Sequence, residues 1–104
     1  MGRSEDQHSD FPMSKRVVVP QHVVYRALAH ETVLLNIRTS TYHSVDTVGA
    51  RFLEVLVEAE SVGAAADVLA LEYEQPRERI ASDLKRFCDE LADRELVRLE
   101  PAND

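Results

Sequence analysis

The sequence has few of the residues on which common catalytic and metal-binding motifs depend. Its 104 residues include one cysteine, three glycines and no tryptophan. A single cysteine excludes an internal disulfide and a multi-cysteine zinc site. Three scattered glycines leave no room for a P-loop or a GxGxxG loop, and the HExxH and GxSxG patterns are absent as well. The composition therefore argues against enzymes that rely on these motifs, and we predict no enzymatic activity, cofactor or metal.

Basic charge and long apolar runs are also scarce. Twelve Lys and Arg face nineteen Asp and Glu, for a formal net charge of −7. Proteins that bind nucleic acid by neutralising phosphates normally carry a basic stripe, so the balance disfavours that class. No apolar run approaches the roughly 18 residues of a membrane span, and the start lacks a signal-peptide apolar region. We therefore expect a cytoplasmic protein.

The length is that of one small domain with a single core. Residues 1–14 are mostly polar and show no helical or strand period, which predicts a disordered tail. We assign residues 15–100 to the folded domain and residues 101–104 to a frayed C-terminus.

The first third of the folded part reads as a small antiparallel meander. Short runs of β-branched and apolar residues predict strands at about 23–28, 32–38 and 41–45. A shorter strand signal at Val17–Val19 is interrupted by Pro20, which cannot donate to a ladder. Three strands with one apolar face need a partner layer to be stable.

The second part supplies that layer as helices. Apolar spacing of three and four predicts helices over 48–60, 63–73 and 77–94, followed by a short terminal strand near 95–99. Cys88 falls on the apolar stripe of the third helix, where we expect it in the core. The sequence thus predicts an α+β domain of winged-helix-like outline, with an N-terminal three-stranded antiparallel sheet followed by three helices.

The stretch 32–49 organises this architecture and points to a binding role. The strand at 42–45 lies at the edge of the predicted sheet, where unpaired N–H and C=O groups can accept an extended peptide as a further strand. A proline at Val45 is therefore predicted to weaken binding. One side of the third helix carries Asp83, Arg86, Phe87 and Glu90, which could contact such a peptide.

Several of these residues admit a plainer interpretation. His43 shares a strand face with Val45, so it is either a half-buried structural residue or a contact for the partner. Phe87 fits the core, while Asp83 and Arg86 are equally consistent with a solvated helix surface.

Residues across the folded part resemble PqqD-like proteins. The segment VLLNIRTSTYHSVDTVGARFLEVL follows their strand–turn–strand–helix pattern, with Leu35-Asn36 in the first strand and Thr47-Val48-Gly49 at the step into the helix. The closing pattern is carried by Asp83-Leu84, Phe87, Leu91 and Leu96-Val97. The resemblance runs from Val17 to Leu99. The chain departs from it at His43, which replaces a common aromatic, at Phe52, which stands near a usual tryptophan, and at Arg94-Glu95, which replaces a usual glycine.

This resemblance implies recognition of the leader segment of a ribosomally made precursor peptide. Within the family the chain is similar to the free-standing leader-binding B proteins of lasso-peptide clusters, which work beside a leader protease and an ATP-dependent cyclase. The leader is expected to add a strand beside the third strand, pack against the third helix and use an apolar slot lined by Val33, Leu35 or Val45. The implied peptide-binding residues are Val33, Leu35, Tyr42, His43, Ser44, Val45, Asp83, Arg86, Phe87 and Glu90.

Three alternatives remain open at this point. A PqqD-like peptide chaperone for a radical-SAM enzyme would carry the same residues. A winged-helix DNA-binding regulator fits the element types, although the acidic balance and the sheet-first order disfavour it. A small hydrolase would rest only on Cys88 and scattered histidines.

Overall fold

The computed structural model of the protein describes residues 12–102, which form an α+β domain. The remaining residues, 1–11 and 103–104, contain most of the predicted tail and half of the predicted frayed end; those predictions lie outside the described residues. In chain order the elements are β1 (Lys15–Val18), β2 (Val23–Ala27), β3 (Thr32–Asn36), β4 (Thr41–Val45), α1 (Thr47–Glu58), α2 (Val62–Tyr73), α3 (Arg77–Asp93) and β5 (Arg98–Pro101).

The predicted meander is present as an antiparallel sheet with the order β2-β3-β4. Val23 pairs with Asn36 across the first ladder, and Thr32 pairs with Val45 across the second. The α+β class is confirmed. The description as one N-terminal sheet was incomplete, because β1 precedes the meander and belongs to a second sheet with β5.

This second sheet joins the two ends of the described chain. Val17 pairs with Leu99, and Lys15 pairs with Pro101. The terminal strand begins later than the predicted residue 95, because Glu95 adopts a left-handed conformation with φ 59° and the turn after α3 occupies the next residues. Its pairing with β1 joins segments about 80 residues apart, which no local pattern reveals.

The ordered part also begins before residue 15. Pro12 is buried, and its carbonyl accepts a hydrogen bond of 2.8 Å from the Lys15 N–H. The Met13 carbonyl accepts one of 2.9 Å from the Gly63 N–H at the start of α2. Residues 12–14 are thus anchored to the domain by backbone bonds.

The helices begin where capping residues occur in the sequence. The Asp46 carboxylate accepts a hydrogen bond from the Gly49 N–H at 2.9 Å, which caps α1. The Ser61 hydroxyl does the same for α2, accepting from the Ala64 N–H at 3.0 Å. α3 starts after Pro76.

The core lies between the inner face of the three-stranded sheet and the helices. Its fully buried side chains include Leu34, Leu53, Leu56, Leu69, Leu84 and Leu91. Cys88 is 1% exposed, so its prediction as a core residue is confirmed. Phe87 is only half-buried, which leaves one side of its ring at the surface.

Candidate functional site

The central strand β3 divides its backbone bonds between two neighbours. In an antiparallel sheet, successive residues of a strand bond alternately to one side and to the other. The Leu28 N–H donates to the Glu31 carbonyl at 2.7 Å, and the Ile37 N–H donates to the His22 carbonyl at 2.8 Å. These bonds flank the β2–β3 ladder, so the odd-numbered residues of β3 bond to β2 and the even-numbered ones bond to β4.

The same alternation determines which groups of β4 are free. Leu34 lies opposite His43, so His43 and Val45 direct their backbone groups toward β3. Tyr42 and Ser44 then direct their N–H and C=O groups away from the sheet. Because β4 is the last strand on this side within the described chain, this edge is ready to accept a further strand.

A groove of about 830 Å³ runs beside this edge, between β4, α1 and α3. We call it the β4 groove. It is lined by His43, Ser44, Val45, Asp46, Val48, Gly49, Phe52, Arg79, Asp83, Arg86, Phe87 and Glu90.

The floor of the β4 groove is apolar and aromatic. The rings of Phe52 and Phe87 meet edge to face, with centroids 5.8 Å apart. Gly49 allows the start of α1 to approach this floor closely. A Cβ at that position would lie 3.0 Å from Val45 Cβ and 3.3 Å from Phe87 Cε1. The missing side chain is therefore what gives the groove its depth at this point.

Charges of both signs surround the floor. Arg86 Nη2 lies 2.9 Å from Asp83 Oδ1 within α3, and Arg79 lines the groove one helical turn before Asp83. His43 Nε2 lies 3.5 Å from Glu90 Oε2, and the His43 side chain is 19% exposed. The His43–Glu90 contact joins β4 to α3 across the groove.

A buried asparagine links the β3–β4 turn to the C-terminal end of α3. Asn36 is fully buried, and its amide donates to the Glu95 carbonyl at 3.2 Å, just after α3 ends. Its side-chain oxygen accepts hydrogen bonds from the backbone N–H groups of Arg38 and Thr39, at 3.0 and 3.2 Å. His22 Nε2 lies 3.2 Å from the same Glu95 carbonyl. Asn36 therefore holds the β3–β4 turn against the end of α3.

Beside this asparagine, the groove continues into a smaller cleft of about 280 Å³. Tyr42 and His43 line it on the strand side, and Asp93 and Arg94 line it on the helix side. His43 borders both spaces, so a strand laid along β4 would pass from one to the other.

Seven of the ten predicted site residues come together in the β4 groove. They are His43, Ser44, Val45, Asp83, Arg86, Phe87 and Glu90. Tyr42 lies in the smaller cleft, and its side chain is 73% exposed.

The apolar slot was expected to be lined by Val33, Leu35 or Val45, and these residues lie on two different faces of the sheet. Val45 is buried on the inner face of the sheet, whereas Val33 and Leu35 lie on the outer face, where Leu35 pairs with Tyr42. Side chains of a strand alternate between faces, so residues 33 and 45 cannot line one slot. Contact of Val33 and Leu35 with a peptide stays a prediction.

Sequence reasoning missed five residues that line the β4 groove, and it missed the contact of Asn36 with the end of α3. Asp46, Val48, Gly49, Phe52 and Arg79 line the β4 groove in addition to the predicted set. Helical spacing could have pointed to two of them, because Phe52 follows Val48 by four residues and Arg79 precedes Asp83 by four. The role of Asn36 depends on a contact 59 residues away.

Two features of residues 12–102 bear on catalytic chemistry: the grouping of possible metal ligands and the state of the Cys88 thiol. No group of three or more His, Cys, Asp or Glu side chains in this part of the chain is placed to hold a metal ion. Burial, with a smaller effect from Asp89, raises the pKa of the Cys88 thiol to about 12, so its reactive thiolate is scarce at neutral pH. Within the same residues, no helix has the length and apolar character needed to cross a membrane.

Comparison with known proteins places the chain in a family. The sequence profile of PqqD, described as coenzyme PQQ synthesis protein D, matches residues 31–97. Among curated proteins no sequence matches. The structure of TbiB1 in complex with the TbiA(beta) leader peptide is 32% identical in sequence, with a TM-score of 0.72, over 78% of this chain and 94% of that one. A lasso peptide synthetase B1 complexed with the leader peptide shares the fold at 19% identity, with a TM-score of 0.73, over 80% of this chain and 98% of that one. The chain therefore belongs to the PqqD family.

Proposed function

We propose that this protein binds the leader segment of a ribosomally synthesised precursor peptide, of the lasso type, as an additional strand beside β4. The observation that carries the proposal is a free strand edge that faces a deep groove. Tyr42 and Ser44 offer outward N–H and C=O groups, and the β4 groove lies beside them. A bound strand would place alternate side chains in the groove and the others on the outer face of the sheet.

Micromolar binding of a leader requires both the free edge of β4 and the β4 groove. Two residues offer four main-chain groups, worth about 1 kcal/mol each once bonded, or about 4 kcal/mol together. Micromolar binding needs about 8 kcal/mol, in addition to the cost of ordering the peptide. The remainder must come from side chains in the groove. Burial of three apolar leader side chains against Val45, Phe52 and Phe87, at about 2 kcal/mol each, raises the gross total to about 10 kcal/mol. Contacts with the charged residues of α3 must then offset the ordering cost.

TbiB1 supports the proposal. That protein is seen with a leader peptide, and the match covers 94% of its chain at 32% identity. The fold is also shared with a leader-bound lasso peptide synthetase B1, and we therefore propose the lasso branch over a chaperone for a radical-SAM enzyme.

We further propose that the protein is not itself an enzyme and presents the leader to a separate protease and cyclase. The floor of the β4 groove is formed by aromatic and aliphatic side chains, and Cys88 is buried on the core-facing side of α3. Such a role belongs in the cytoplasm, where precursor peptides are made. The winged-helix-like outline is then used to bind a peptide instead of DNA, in keeping with the net charge of −7.

A titration with a synthetic leader tests the proposal. The peptide is taken from a short precursor gene beside the gene for this protein, and binding is followed by calorimetry and by amide resonances. We expect one-to-one binding in the micromolar range or tighter, with the largest shifts at Tyr42 and Ser44. An absence of heat and of shifts at tens of micromolar would contradict it. Binding of duplex DNA at physiological salt would instead favour a regulator.

A further inference from the structure

The three-stranded sheet has a second free edge, along β2. By the alternation derived for β3, Val24 and Arg26 bond to β3, whereas Tyr25 and Ala27 direct their N–H and C=O groups away from the sheet. Among the described residues, β3 is the only strand that pairs with β2. The backbone of this edge can therefore accept a strand in the same way as that of β4.

A second groove, of about 490 Å³, lies beside this edge. We call it the β2 groove. It is lined by Tyr25, Ala27, Thr32, Thr47, Ala50, Arg51, Leu53, Glu54, Val57 and Glu58. Helix α1 separates it from the β4 groove, because Val48 and Phe52 face one side and Ala50 and Glu54 face the other.

The floor of the β2 groove is aliphatic and its rim is acidic. Leu53 is buried and Val57 is half-buried at the floor. Arg51 is already shared between two carboxylates, lying 2.7 Å from Glu72 and 3.0 Å from Glu54. The groove lining itself carries two carboxylates, Glu54 and the exposed Glu58, and Arg51 as its one basic residue, whose charge Glu72 also neutralises from outside the lining.

We propose that the β2 groove binds an extended, basic segment of a second protein as an additional strand, independently of leader binding at β4. The free backbone groups select an extended segment, the aliphatic floor accepts an apolar side chain, and the acidic rim favours neighbouring Lys or Arg. A second copy of this chain fits poorly, because a two-fold axis would bring Glu54 and Glu58 together with their own counterparts. Each copy also carries a net charge of −7.

The domain would then bind two different partners, one at each edge of the sheet. Neighbouring strands lie about 4.8 Å apart, so the strands added at the two edges would be separated by four spacings, or roughly 19 Å. A leader held at β4 and a partner protein held at β2 would be brought together without competing for the same groups.

The test uses two synthetic heptapeptides with capped ends, VKVKVKV and its charge-reversed counterpart VEVEVEV. Each is titrated into the isotopically labelled full chain, and amide resonances report which edge responds. We expect VKVKVKV to shift Tyr25 and Ala27 and VEVEVEV to bind at least about tenfold more weakly. Shifts confined to Tyr42 and Ser44, equal binding of both peptides, or no shifts at millimolar peptide would overturn the proposal. Shifts at Tyr25 that grow with protein concentration alone would show a second copy as the occupant and overturn it too.

Two variants assign the binding to the edge. Ala27→Pro removes an outward N–H and adds a ring there, while the β2–β3 ladder relies on neighbouring residues; it should weaken VKVKVKV roughly tenfold. Should that variant fail to fold, the surface change Glu58→Lys is expected to weaken the same peptide, and an unchanged affinity would overturn the proposal. Ser44→Pro, which blocks only the β4 edge, should leave VKVKVKV binding unchanged. VKVKVKV binding at β2 and leader binding at β4 are measured separately, so either one can fail without the other.

Discussion

The two edges of the three-stranded sheet share a backbone pattern and differ in what lies beneath them. β4 faces α3 as well as α1, and its groove of about 830 Å³ has an aromatic floor with charges of both signs. β2 faces α1 alone, and its groove of about 490 Å³ has an aliphatic floor and an acidic rim. Strand backbones provide the same hydrogen bonds at both edges. The helices beneath them therefore determine which peptide each edge can select.

The largest expected contrast comes from blocking one edge at a time. Ser44→Pro removes an outward N–H from β4 and places a ring in the path of the leader, so leader binding should fall roughly a hundredfold, or about 2.7 kcal/mol. Ala27→Pro should leave it unchanged. Calorimetric titration of both variants measures the contrast.

Ser44→Ala is the matched control for that pair. It removes the hydrogen bond from the Ser44 hydroxyl to Glu31 but keeps the backbone N–H. Leader affinity within about twofold of the parent is expected. Equal losses in Ser44→Ala and Ser44→Pro would refute pairing through the backbone. Val45→Pro, which is also expected to weaken binding, is a less specific test, because the N–H of Val45 points toward β3 and its loss would damage the sheet itself.

A smaller contrast is expected from filling the floor of the β4 groove. Gly49→Ala would press against Val45 and Phe87, cost about 1–3 kcal/mol in the free energy of unfolding and lower leader affinity about tenfold. Its binding of VKVKVKV at β2 should not change. Urea unfolding and titration give the two quantities.

Gly63→Ala serves as the control for this glycine. Its Cβ would lie 3.2 Å from the Met13 carbonyl and 3.3 Å from Arg77 Nη2, away from either groove. Stability is expected to change while both peptides keep their affinities. A matching loss of leader binding in Gly63→Ala would mean that Gly49 acts only through stability.

Substitution of the buried Asn36 should weaken leader binding at β4 by a smaller factor and leave peptide binding at β2 unchanged. Asn36→Asp keeps the oxygen that accepts from Arg38 and Thr39 but loses the donor to the Glu95 carbonyl. We expect a loss of about 1–3 kcal/mol in unfolding free energy and roughly fivefold weaker leader binding, because the β3–β4 turn is no longer held against the end of α3. An unaltered leader affinity in the folded variant would limit Asn36 to a structural role.

The smallest effect is expected at the rim of the β2 groove. Glu72→Gln leaves Arg51 paired with Glu54 alone and removes one negative charge beside the groove, so VKVKVKV should bind about two- to threefold more weakly. Leader binding should stay the same. Equal weakening of both peptides would show that the two grooves are not independent.

Acid should produce the same change in the parent protein. The hydrogen bonds from Arg51 hold the pKa of Glu72 below its ordinary value. The pair is therefore fully formed above the ordinary carboxyl pKa and is lost as pH falls through the lowered one. VKVKVKV affinity, measured as the pH falls from 7, should lose its sensitivity to the Glu72→Gln change once Glu72 is protonated.

Much of the fold could be predicted from local patterns. Runs of β-branched and apolar residues located β2, β3 and β4, and helical spacing located the helices, because these signals depend on neighbours a few residues away. The pairing of β1 with β5 could not be found this way. Neither strand has a face whose pattern specifies a partner some 80 residues distant.

The candidate site likewise combines features that follow from local spacing with features that depend on distant contacts. Asp83, Arg86, Phe87 and Glu90 could be grouped in advance because a helix places residues three and four apart on one side. Val33, Leu35 and Val45 were named as alternative lining residues, and the sequence did not show that Val45 lies on the opposite face of the sheet from the other two. The relation between two strands depends on their register, and register is a property of the paired sheet.

The types of the elements and the faces of each strand and helix follow from the order of neighbouring side chains, and the acidic character follows from composition. Three features appear only in the folded chain: Tyr42 and Ser44 carry the free backbone groups of β4, Asn36 reaches the end of α3, and α1 separates two grooves. Each of these depends on contacts between segments far apart in the chain. Such contacts arise when the whole core packs, and they are not encoded in any single stretch.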